Sequence, residues 1–178
     1  NLLEMLGYYM PDEQILWEVL EEVRDRMEIG DGDALNMSAV WQFLRIYRMR
    51  EGLSRGEAAE VDEAFQRFAS QCGSAAAEVS KRDLPKVLHH LGYRTSFEQQ
   101  LLLAQEVDIT GSGALCLGEL RKLVRMCREE RLRAIKAAFD RYDPFGQGYV
   151  TAAKAEAAIT NATGCSLAER PGEEWQER

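Results

Sequence analysis

Histidine and cysteine are scarce in this chain, and the few present are poorly placed for chemistry. Its 178 residues include two histidines, His89 and His90, and four cysteines, Cys72, Cys116, Cys127 and Cys165. Neighbouring residues on a helix point to different faces, so the histidines form no pair and read as surface or cap residues. The cysteines show no CxxC pair and no regular spacing, so they read as reduced thiols in the cytoplasm or another reducing intracellular compartment. No run approaches the roughly 18 consecutive apolar residues that a membrane-spanning helix needs. Basic residues are outnumbered, 22 against 30 acidic, for a net charge of -8. That balance argues against a nucleic-acid binder, which needs a clustered basic surface for phosphates. It is compatible with holding a cation or a basic helix. Glycine-rich phosphate loops, GxSxG and HExxH are all missing, so no catalysis is expected. The opening "NLLEML" has neither a basic n-region nor an initiator Met, so no signal peptide is visible and the natural start is expected upstream.

What the chain does contain is a copy of itself. Residues 2–14, "LLEMLGYYMPDEQ", and residues 87–99, "VLHHLGYRTSFEQ", share Leu-Gly-Tyr and then Glu-Gln at the same offsets. Further along, "ALNMSAVWQFLRIYRMRE" answers "ALCLGELRKLVRMCREER", and "VDEAFQRFASQCGS" answers "IKAAFDRYDPFGQG". A period near eighty residues means a duplicated unit, each copy dividing into two helix–loop–helix pieces. Apolar residues recur at helical spacing: Ile15, Leu16, Val19, Leu20, Val23 and Met27; Val40, Phe43, Leu44 and Tyr47; Val61, Ala64, Phe65 and Phe68; Leu132, Ile135, Phe139 and Tyr142. Gly7 and Gly92 fall where a helix-ending glycine is favoured. Pro11 restarts the chain, with Asp12 and Glu13 in a first turn. Only short β-like pairs lie between helices: Ala34-Leu35, Glu78-Val79, Ala114-Leu115 and Tyr149-Val150. The spacing predicts an all-α protein. Trp17 and Trp41 are expected to pack in the first half. The scattered methionines (Met5, Met10, Met27, Met37, Met49 and Met126) are expected mainly to fill core. The run Arg121–Lys136 reads as a long amphipathic connector with a solvated charged face.

Between two such helices lies "DITGSGALCLGE", residues 108–119. A twelve-residue calcium loop needs oxygen ligands at positions 1, 3, 5, 7, 9 and 12, glycine at 6, and a bidentate glutamate at 12. On that motif and on the repeat, the chain to about residue 163 resembles the EF-hand superfamily of calmodulin, centrin and myosin light chains. The resemblance implies a metal site of Asp108, Thr110, Ser112, Ala114 (by its carbonyl), Cys116 and Glu119, with Leu115 bridging to a partner loop. Two carboxylates and a thiol make a sparse set for a hard cation, so at most one weak Ca2+ site is expected. The other three loops are degenerate. Residues 143–154 put Lys154 where the closing carboxylate belongs and Phe145 at position 3. The second loop has Ala69 directly after the Phe68 that normally precedes the first ligand, about three extra residues before Val79, and offers only Asp83 near its end. The first has Asp31 and Asp33 but ends on Ala39.

The expected architecture is two pairs of EF-hand helix–loop–helix units with short β-bridges between paired loops. Residues 1–14 would be the exit helix of an incomplete upstream hand. Residues 12–92 would form the first pair, 93–163 the second, and 164–178 a polar tail. The implied role is that of a calmodulin-like interaction or scaffolding subunit whose protein partner is an amphipathic helix or a larger assembly. The alternatives are a calcium sensor acting through the single loop, or the regulatory domain of a larger enzyme or channel.

Overall fold

The computed structural model describes residues 2–70, 77–109 and 111–163. Among them are eight helices and one two-stranded antiparallel sheet. The helices are α1 (Leu2–Met5), α2 (Glu13–Met27), α3 (Met37–Met49), α4 (Arg55–Phe68), α5 (Leu84–His90), α6 (Phe97–Val107), α7 (Leu117–Tyr142) and α8 (Ala152–Thr163). The strands are β1 (Val79–Ser80), before α5, and β2 (Ala114–Leu115), before α7.

Short polar side chains start these helices by satisfying N–H groups that no preceding turn can reach. Asp12 accepts from Gln14 N and Asn36 accepts from Ala39 N. Two helices begin with a reciprocal capping box. The Ser54 hydroxyl accepts from Glu57 N while the Glu57 carboxylate accepts from Ser54 N, and Ser96 with Gln99 does the same for α6. The repeated Leu-Gly-Tyr gives one local structure twice. Gly7 and Gly92 adopt φ of +89° and +77°, and Tyr8 N and Tyr93 N reach back five residues to Leu3 O and Leu88 O. That is the helix-ending turn that glycine permits without a Cβ clash.

Two apolar clusters form. The first gathers Leu3, Tyr8, Ile15, Val19, Val23, Ala39, Ile46 and Tyr47, so the opening segment packs with α2 and α3. The second runs from Leu53 through Val61, Val79, Leu84, Val87, Leu88, Ala104, Val107, Leu115, Leu120, Leu123 and Val124 to Cys127. Both lie in the compact unit Asn1–Cys127, and the chain from Arg128 onward forms a second unit, the division falling within α7.

The packing departs from the expected division at residue 92. Residues on both sides of it share the second cluster, and β1 pairs with β2 in the register Val79↔Leu115 and Ser80↔Ala114. The second loop is therefore bridged to the third, not to the first. Ala34-Leu35 and Tyr149-Val150 lie outside any strand. The tryptophans also differ from expectation: Trp17 is 56% and Trp41 64% exposed. They sit on α2 and α3, where Val19, Val23, Ile46 and Tyr47 take the inward face. Met5, Met10, Met37 and Met49 are exposed, whereas Met27 and Met126 pack against the clusters. The first half of α7 is not solvated on its charged side. Arg121 holds Asp62 through both its carboxylate oxygens and donates to Met49 O, and Arg125 pairs with Glu51 and stacks over Tyr8. His89 and His90 are exposed, as expected. Cys72, Cys165 and the polar tail lie outside the described residues.

Candidate functional site

The loop from Asp108 to Glu119 is built around a buried carboxylate. Asp108 ends α6, and its Oδ1 accepts from Ser112 N and its Oδ2 from Gly113 N, both at 3.1 Å. Gly113 at φ +80° lets the backbone double back so that both N–H groups face that carboxylate. The same turn recurs in the second unit, where Asp143 accepts from Gln147 N at 2.9 Å and Gly148 N at 2.7 Å. Those backbone N–H groups, Gln147 first, hold the Asp143 carboxyl below its usual range. The third and fourth loops thus share one turn at the level of individual hydrogen bonds.

Four of the six donors expected to face a cation, Asp108, Ser112, Ala114 and Glu119, are engaged by the protein itself. The Asp108 side chain has no exposed surface, and the Lys81 ammonium lies 2.6 Å from its Oδ2. The Ser112 hydroxyl donates to the Ala114 carbonyl at 2.9 Å, occupying the position-7 oxygen. Glu119 accepts from Cys116 N at 2.9 Å, closing the first turn of α7 instead of the loop. Cys116 is exposed, and Thr110 lies outside the described residues. Among the described residues no three carboxylate, imidazole or thiol groups come together as a metal set. In this arrangement the donors do not fit Ca2+, because the one buried carboxylate already carries a cation and the second carboxylate caps a helix.

In the other loops the acids are likewise spent locally. Asp31 pairs with Arg24 at 3.2 Å, Asp33 accepts from Gly30 N at 3.1 Å, and Asp83 pairs with Lys86 at 2.8 Å. Lys154 is exposed on α8.

Sequence reasoning missed Lys81. The signal was available: Lys81 stands two residues after Val79, and with Val79 opposite Leu115 it falls beside Gly113, whose carbonyl accepts from Lys81 N at 3.1 Å. Pairing the second loop with the first concealed that. A second feature also went unnoticed. Leu84, Pro85, Phe97, Gln100, Leu101 and Ala104 line an apolar recess of about 200 Å³ between α5 and α6, together with Lys81 and Arg82. Phe97, Leu101 and Leu102 are exposed beside it or on the same helix.

No protein-family model matches the chain. No helix among the described residues is long and apolar enough to cross a membrane.

Proposed function

We propose that this protein is a calmodulin-like EF-hand protein acting as an interaction or scaffolding subunit that grips an amphipathic partner helix without needing metal. The observation that carries this reading is the recess between α5 and α6, whose lining is almost wholly apolar and whose edge residue Phe97 is exposed. An apolar pocket at the mouth of a helix pair suits the spaced anchors of a helix laid into a groove. The succession of helices joined by loops, two of which are bridged through two-residue strands, supports the EF-hand resemblance. In the same reading Ca2+ is at most a weak ligand at Asp108–Glu119, where it must displace Lys81. The thiols of Cys116 and Cys127 suit a reducing compartment.

The test is calorimetric titration with an amphipathic model helix, in calcium and in chelator. Micromolar binding that is equal in both media is expected, and it should weaken about tenfold or more in Leu101→Asp. Binding seen only with calcium would favour the sensor alternative. An unchanged affinity in Leu101→Asp would move the contact away from the recess.

A further inference from the structure

We propose that Lys81 is a built-in cation for the loop 108–119, and that its ammonium both closes the loop and keeps a divalent ion out. The inference rests on the likeness of this loop to a calcium loop, but not on what the protein binds as a partner. Three observations carry it. Lys81 Nζ lies 2.6 Å from Oδ2 of an aspartate with no side-chain exposure, while the lysine itself is about three-quarters covered. The lysine is also anchored through its backbone, because its N–H donates to Gly113 O one residue beyond the β1–β2 bridge. Its reach into the loop is therefore set by strand pairing and is not the chance of a surface side chain. Finally, Asp143 makes the same turn with the same two N–H groups, Gln147 and Gly148 standing for Ser112 and Gly113. The aspartate and the glycine are what the two turns have in common. What Lys81 adds is positive charge at a buried carboxylate, where an uncompensated charge is costly.

A calcium ion bound to Asp108 would lie within a few ångströms of that ammonium and meet its repulsion. It would also have to take the Ala114 carbonyl from Ser112 and the Glu119 carboxylate from Cys116 N. Removing the ammonium takes away the positive charge beside Oδ2 of the buried Asp108, and an external cation then becomes the natural replacement. Lys81→Met keeps the apolar stem that lines the recess; Lys81→Gln keeps a polar end; Lys81→Arg keeps the charge.

Calcium titration by calorimetry, with thermal melts in calcium and in chelator, tests this on the full chain. The wild type and Lys81→Arg should show no site up to millimolar calcium and should melt identically in both media. Lys81→Met and Lys81→Gln should each gain one site, binding about tenfold or more tighter than any wild-type heat. They should melt lower in chelator and recover with calcium. The gained heat should vanish when Glu119→Gln is added. A variant that is unfolded in chelator and folds on adding calcium supports the proposal equally. Wild-type calcium binding that is lost in Glu119→Gln would overturn it. So would Lys81→Met and Lys81→Gln proteins that gain no site, whatever their stability. Binding of the model helix is a separate reading, and its failure would leave this result standing.

Discussion

Glu22 shows how a buried charge is made tolerable. It is almost fully buried on α2, yet it receives Arg50, which is itself buried, as well as Arg55 at 3.0 Å and Arg26 at 2.6 Å. Burial alone would push its carboxyl up. The hydrogen bonds from Arg55 and Arg50, with the charges of Arg50 and Arg26, outweigh that and hold it below the ordinary value. A carboxyl depressed on folding adds stability that is complete above its ordinary pKa of about 4.3 and is lost as pH falls through the folded value. The wild type should therefore lose melting temperature more steeply than Glu22→Gln once the pH drops below about 4, as scanning calorimetry across acid buffers would register. Arg50→Ala removes the most buried of the three partners. Arg55 and Arg26 remain, so the expected loss is about 2–3 kcal/mol, short of the roughly 3–5 kcal/mol typical when a buried ion loses its partner. Urea denaturation measures it, and a loss below about 0.5 kcal/mol, the scale of an exposed pair, would show that the two outer arginines suffice.

Elements in this protein end and begin on side-chain hydrogen bonds, and they meet through very short strands. Ser54→Ala breaks one half of the capping box on α4 and leaves Glu57 N without its acceptor. It should cost about 1 kcal/mol by denaturant melt. Leu115 is fully buried, paired with Val79 on β1, and belongs to the cluster that joins α4 through the first half of α7. Leu115→Ala should cost about 3 kcal/mol, the middle of the range for a core leucine. It should also speed amide exchange at Val79 and Lys81, whose N–H groups face β2 in that register. Slowed or unchanged exchange there would mean the bridge does not hold the two loops together. The difference between these elements explains what could be read from residues alone. The Leu-Gly-Tyr turns and the caps at Asp12 and Ser96 are built from neighbours in sequence, so their chemistry is visible in a few letters. The aspartate turn is visible for the same reason. Which loop faces which is not, because α5 and α6 separate Val79 from Leu115 in the chain. Lys81 inherits its role from that pairing, so a motif scan confined to residues 108–119 had no means of finding it. Trp17 and Trp41 failed for another reason: a large aromatic on an amphipathic helix says little about its own burial when Val19 and Ile46 already fill the inward face.

At the scale of the whole chain, the duplicated sequence does not map onto two like-sized packed halves. An eighty-residue repeat suggested a boundary near residue 92, whereas the apolar clusters occupy residues 3–47 and 53–127. Both are complete before Arg128, and the polar ties of α7 at Arg121 and Arg125 also lie upstream of that point. A stretch of that length is well within the size at which a single domain buries enough surface to fold alone. The chain ending at Cys127 should therefore be folded by itself. Its far-ultraviolet dichroism should keep the helical signature, and its thermal melt should remain cooperative. The new end exposes the last carbonyls of a shortened α7, a modest cost because Leu120, Leu123 and Val124 still anchor that helix in the cluster. A chain cut instead at residue 92 should behave differently. It keeps Val79, Leu84, Val87 and Leu88 but loses Ala104, Val107, Leu115 and Leu120, leaving half of the second cluster facing water. That shorter chain should melt without cooperativity or aggregate, while retaining whatever helicity the first cluster supports. If the cut at 92 folds as well as the cut at 127, the second cluster is not the cooperative unit its packing makes it, and the sequence repeat marks the true folding boundary after all.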